Sequence, residues 1–213
     1  MSTDTSFRPD STSKLTWLSV LFAAILITSN LMAGKLIAFG NVVLPAAVIL
    51  FPFCFIVVSV IAEVWGFGKA RQVILMGFVA NLVLVVFTNI AIYLPFEPMI
   101  WRDQASYTMI YQAVPRIFFA SFVGYLAGEF VNAFVLTWMK RMVFANRLYI
   151  RVIASMVVGQ AFDSGLFIMI AFYGIMPVNA LLKMMVVHYL AKVLIGSVVG
   201  TPLVYGAVQW ARN

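Results

Sequence analysis

Twenty consecutive residues, Leu15 to Gly34, carry no charge, and Lys14 and Lys35 close the run at either end. A helix of that length crosses roughly 30 Å of hydrocarbon. A removable leader would have a shorter apolar core and a small-residue cleavage site, so the run reads as a retained first span. Five further segments are long enough to cross as well, and the spans are placed at about Leu15–Lys35, Leu44–Gly66, Ala70–Leu94, Pro115–Met139, Tyr149–Tyr173 and Leu181–Trp210. The second is ambiguous: Pro45 and Pro52 allow Leu44–Phe51 to be an extended lead-in, with the helix proper starting near Pro52. Composition agrees. The chain is 64% hydrophobic and 10% charged, with mean hydropathy +1.04, against about 25% charged in a soluble domain. The expected fold class is all-α: a polytopic membrane protein with six transmembrane helices in one bundle. Residues 1–14 are expected as a polar, disordered cytoplasmic tail, and residues 15–213 as the membrane domain.

The net charge of +7 is spread over segment ends, where it sets orientation rather than binding nucleic acid. With six spans both termini share a side, which carries Arg8, Lys14, Lys69, Arg71, Lys140, Arg141, Arg147, Arg151 and Arg212. Lys35, Arg102, Arg116 and Lys183 fall opposite, with Glu97 and Asp103. Nine basic residues against four put both termini in the cytoplasm. The outer loop Pro95–Val114 is partly apolar and is expected to hold a short interfacial helix or a lid.

Inside the spans the polar residues recur three or four apart, hence on one helix face. From Val152 to Met176 the only charged side chain is Asp163, with Gln160 one turn before it and Ser164 beside it. The fourth span sets Glu129 and Asn132 on one stripe, near a Gly124/Gly128 spacing that lets a neighbouring helix approach. The last span offers His188 and Lys192, and the second Ser59 and Glu63. The first contributes Ser29 and Asn30, and the third Asn81 and Asn89. An ionisable group at membrane depth costs about 2.5–3.5 kcal/mol on insertion scales and persists where it faces a bundle interior or a polar cavity. Such a carboxylate survives by taking up a proton or by gaining a partner cation. Each stripe also has a plainer reading. Asn30, Asn81 and Asn89 can be interhelical glue, Glu63 can reach the interface beside Lys69, and His188 can be a packing histidine. Glu129 or Asp163 can be a structural ion pair with Lys192, although one lysine cannot neutralise three carboxylates.

No HExxH, GxSxG or phosphate-cradling loop is present, and the single histidine and single cysteine, Cys54, leave no ligand set for a metal or haem. No catalytic residue, metal or cofactor is expected. Cys54 reads as a small buried apolar residue.

The stripes form an ordered series: "SN" at Ser29–Asn30, "LPA…FP" at Leu44–Pro52, "EVWG…AR" at Glu63–Arg71, "GEFVN" at Gly128–Asn132, "GQAFDS" at Gly159–Ser164 and "KV…TP" at Lys192–Pro202. In order and spacing it resembles the YhhQ-type family of queuosine-precursor transporters, over about Asn30 to Pro202. The resemblance implies a six-span inner-membrane importer of deazaguanine precursors. It implies a functional core of Glu63, Arg71, Glu129, Asn132, Gln160, Asp163 and Lys192. Many members carry an acid where this chain has Ser59, which removes one carboxylate.

The leading expectation is therefore a transporter whose polar faces converge on one chamber holding a purine-like solute. Asn30, Glu63, Glu129, Asn132, Gln160, Asp163, His188 and Lys192 would contact substrate, and Ser59, Arg71 and Asn81 would gate or support. Glu129 or Asp163 would accept paired N–H donors from the ligand. Expected partners are that solute, the lipid bilayer and, as an option, a second copy in a homodimer, with no nucleic acid. Two rivals stand beside it: a substrate-capturing subunit that needs a separate ATP-driven module, and a non-transporting scaffold whose stripes pair with each other.

Overall fold

The computed structural model describes residues 9–40, 42–140 and 148–212. Helix α1, Pro9–Ala33, is followed by a β-hairpin of β1, Leu36–Phe39, and β2, Val42–Pro45, paired antiparallel with Leu36 opposite Pro45 and Phe39 opposite Val42. Gly40 takes the turn at φ +57°, a conformation that an L side chain resists. A 3₁₀ turn, Ala46–Ile49, leads to α2, Phe51–Trp65, with Pro52 in its first turn. Then come α3, Phe67–Tyr93; α4, Gln104–Tyr111; α5, Val114–Lys140; α6, Leu148–Phe172; and α7, Val178–Ile195. A π-helical turn, Gly196–Gly200, separates α7 from α8, Thr201–Arg212.

Among the described residues, five stretches are long and apolar enough to cross a membrane: Thr12–Ala33, Phe67–Tyr93, Gln104–Asn132, Ala154–Phe172 and Val178–Ile195. The protein is a multi-pass, predominantly helical membrane protein. The second sequence-derived span takes the alternative that Pro45 and Pro52 allowed, with its helix starting at Phe51. Leu44–Gly66 is not one helix: its first part is the hairpin and 3₁₀ turn, and α2 has 15 residues, below the roughly 20 that span alone. Pro45 explains the break, since it follows extended backbone and has no N–H for a helix to use. Leu181–Trp210 is helical throughout, with a π-helical turn at Gly196–Gly200. Helix α1 begins at Pro9, inside the stretch expected as a tail. Arg8, Arg141 and Arg147, counted above for orientation, lie outside the described residues, as do residues 1–8 of the expected tail. The loop after α3 does contain a short helix, α4, tied back by Gln104 Nε2 donating to Ile92 O at 3.0 Å.

The hairpin and 3₁₀ turn plug one end of the bundle. Leu44, Ala47 and Val48 form a core with Ala33 of α1, Ile117 and Ala120 of α5, Phe167, Ile168, Ala171 and Phe172 of α6, and Leu181 and Met184 of α7. A second core joins Leu18, Phe22 and Leu26 of α1 to Val57, Val60 and Ile61 of α2 and Val73, Ile74 and Phe78 of α3, and it includes Ala211 of α8. Lys14 Nζ donates to Trp210 O at 3.3 Å, joining the start of α1 to the end of α8.

Helices α5 and α6 run antiparallel and meet through glycine. A Cβ on Gly124 would sit 2.8 Å from Asp163 O, one on Gly128 2.9 Å from Asp163 Cβ, and one on Gly159 2.8 Å from Gly128 O. At the other end of the same pair, Arg116 donates from Nε to Ile170 O at 2.6 Å and from a terminal nitrogen to Tyr173 O. These are carbonyls at the end of α6 that no later turn of that helix can satisfy. Arg116→Ala should lower stability by about 1–2 kcal/mol, since charged hydrogen bonds contribute about 1.5–3 kcal/mol and this one is exposed. Thermal unfolding in detergent measures it, and Arg116→Lys should recover only part because one ammonium replaces a two-point contact.

Candidate functional site

Helix α7 buries Leu181, Met184, His188 and Lys192, one stripe at helical spacing, so its lysine points inward because the stripe does. Helix α6 buries Ser155, Gly159, Asp163, Ser164, Phe167 and Ile168 toward its neighbours. The stripes meet in a buried ion pair, with Lys192 Nζ donating to Asp163 Oδ2 at 2.8 Å. Asp163 lies nine residues before the end of α6, about 14 Å along the axis at about 1.5 Å per residue, close to half the hydrocarbon depth.

Aromatic rings surround the ammonium. Nζ is 4.0 Å from the Phe51 ring centroid and 6.0 Å from that of Phe167. The His188 ring stacks on Phe167 at 5.7 Å between centroids and 24° between planes. The other carboxylate oxygen of Asp163, Oδ1, lies over Gly124, where an added Cβ would be 3.0 Å away. Glu129, half-buried on α5, is within electrostatic reach of Asp163, and Tyr125 is within reach of both acids and of Arg71. Cys54, buried in α2, is within reach of Lys192.

Several buried polar atoms around these stripes have no hydrogen-bond partner among the described residues: Ser164 Oγ, Gln160 Oε1 and His188 Nδ1, and, on α1 and α3, Ser29 Oγ, Asn30 Nδ2 and both amide atoms of Asn81. Leaving such a group unpaired costs about 1–3 kcal/mol each. Native proteins rarely tolerate a set of them without a role.

The site residues named from sequence thus divide. Asp163 and Lys192 touch, Gln160 is on the same face one turn away, His188 is within electrostatic reach of Lys192, and Asn132 packs against Gly159 of α6. Asn30 and Asn81 are buried on α1 and α3. Ser59, Glu63 and Arg71 are exposed. Asn89 donates to Val85 O of its own helix at 2.9 Å. Sequence reasoning did not find Phe51 and Phe167 as partners of Lys192. Phe167 could have been found, since it follows Asp163 by one turn; Phe51 could not, because its approach depends on the break before α2.

One interruption of the backbone adjoins the pair. Helix α2 starts at Phe51, whose ring touches the ammonium, while three residues after Lys192 α7 passes into a π-helical turn that runs on into α8. Non-helical backbone at membrane depth is tolerated where protein buries it or where it lines a cavity, and broken helices mark the substrate sites of many secondary transporters.

Comparison with known proteins agrees with this architecture. The profile of the family described as "Putative vitamin uptake transporter" matches residues 45–207. The chain belongs to that family. It is a transporter and not an enzyme. It is also 24% identical, over 189 residues, to a protein of Bacillus subtilis (strain 168) named "Probable queuosine precursor transporter", the match covering 88% of this chain and 81% of that one. No solved structure matches the chain.

Removing one partner of the pair strands a buried charge, which in proteins costs about 3–5 kcal/mol. Lys192→Met should therefore unfold at a clearly lower temperature in detergent. The double variant Asp163→Leu with Lys192→Met should recover most of the loss, and equal instability of the two would show that the pair is not what holds these helices.

Proposed function

We propose that this transporter imports a queuosine precursor, 7-cyano-7-deazaguanine or 7-aminomethyl-7-deazaguanine, across the bacterial inner membrane through a polar chamber near the midplane. The observation that carries the reading is the buried Asp163–Lys192 pair, with unpartnered Gln160 Oε1, Ser164 Oγ and His188 Nδ1 on the same two helices and the break before Phe51 beside it. The name of the Bacillus subtilis relative supports the solute class.

In this reading the chain passes the membrane six times with both termini in the cytoplasm, the hairpin and α2 together making the second passage. The Lys14–Trp210 contact supports placing the two ends on one side. Glu129 or Asp163 accepts the paired N–H donors on the edge of the deazaguanine base, a two-point contact that an ionised carboxylate makes well. Gln160 and Asn132 complete the hydrogen bonds, with Asn30 and His188 among the further contacts. Lys192 donates to Asp163 Oδ2 and holds that carboxylate in place. Glu63 and Arg71 act at the cytoplasmic mouth, with Ser59 and Asn81 as supports.

Uptake of labelled precursor into cells unable to synthesise it tests the reading. Asp163→Asn and Glu129→Gln, each confirmed to reach the membrane, should cut the initial rate about tenfold or more, the loss expected when a charged two-point contact is weakened by about 1.4 kcal/mol. Uptake at the unmodified rate in both would defeat the assignment.

A further inference from the structure

The position of Lys192 Nζ has the chemistry of an ammonium receptor. A carboxylate oxygen lies 2.8 Å away and two aromatic rings stand at 4.0 and 6.0 Å. Carboxylate and ring faces together recognise an alkylammonium group, the first by a charged hydrogen bond and the second through the ring quadrupole. Glu129 is also within electrostatic reach of Asp163. His188 Nδ1 and Ser164 Oγ, both buried and unpartnered, offer further polar contacts to a guest. The π-helical turn Gly196–Gly200 begins four residues after the lysine. Such turns interrupt regular helical bonding and concentrate at functional sites.

We propose that the Lys192 ammonium is a tethered stand-in for the guest: a planar ligand bearing a protonated primary amine displaces Nζ from Asp163 and takes its place against Phe51. This deepens the importer reading and rests on it only for the choice between precursors. The aminomethyl form carries the ammonium; the cyano form does not.

The first test does not depend on deazaguanines. Lys192→Ala protein in detergent is melted with millimolar benzylammonium or benzyl alcohol, and Lys192→Gln takes its place if the alanine variant gives no cooperative transition. The melting temperature should rise with the amine and not with the alcohol, and the rise with the amine should be smaller in the unmodified protein, where the lysine must first be displaced. An equal response to both probes, or none in a cooperatively melting variant, overturns the proposal. The second test compares affinities for the two precursors. The ratio favouring the aminomethyl form should increase about tenfold in Lys192→Gln, equivalent to about 1.4 kcal/mol, and fall in Phe51→Leu. An unchanged ratio in both overturns the proposal while leaving the importer reading intact. Amine-specific stabilisation with no binding of either precursor supports the receptor and sinks the deazaguanine reading instead.

Discussion

A carboxylate and an ammonium at membrane depth are each too costly to stand alone, and the contact between Asp163 and Lys192 resolves that cost for both. Much of the surrounding packing follows from it. Helices α5 and α6 close around Asp163 through Gly124, Gly128 and Gly159, because no larger residue would leave room for the carboxylate and its backbone. Helix α7 brings the lysine by a buried stripe that also carries His188. The pair does not satisfy its neighbourhood, however. Glu129 remains within electrostatic reach, and Gln160 Oε1, Ser164 Oγ and His188 Nδ1 have no partner among the described residues. A scaffold whose stripes merely paired with one another would have no reason to keep them.

The interrupted backbone belongs to the same account. The hairpin and 3₁₀ turn fill the end of the bundle with Leu44, Ala47 and Val48, and α2 follows them with 15 residues. Its first residue, Phe51, arrives against Lys192 as a result. On the other side α7 ends just past the lysine in a π-helical turn. A continuous helix would offer at this depth only side chains, with its backbone fully committed to internal hydrogen bonds.

The apolar runs make the membrane class legible, and the polar spacing in them picks out Asp163, Gln160, His188 and Lys192. Sequence does not say which acid the lysine chooses, because Glu129 and Asp163 sit at similar depth and only the glycine contacts decide how α6 turns. The break before α2 is legible in part: Pro45 and Pro52 allow an extended lead-in, while only Gly40 and Pro45 mark the hairpin. Gly196–Gly200 winds as a π-helical turn within a segment that stays apolar on both sides, so hydropathy runs across it unchanged. Packing partners far along the chain, such as Phe51, leave no local trace at all.

An importer built around this pair requires water and solute to reach Ser164, which is fully buried between its neighbours. Ser164→Cys in a Cys54→Ser background, treated in intact membranes with a water-soluble thiol reagent, reports that access directly. A chamber that opens in turn to each side predicts labelling that slows when precursor is added. A cysteine that stays unlabelled under every condition, in protein that still transports, would place the path elsewhere and contradict the account.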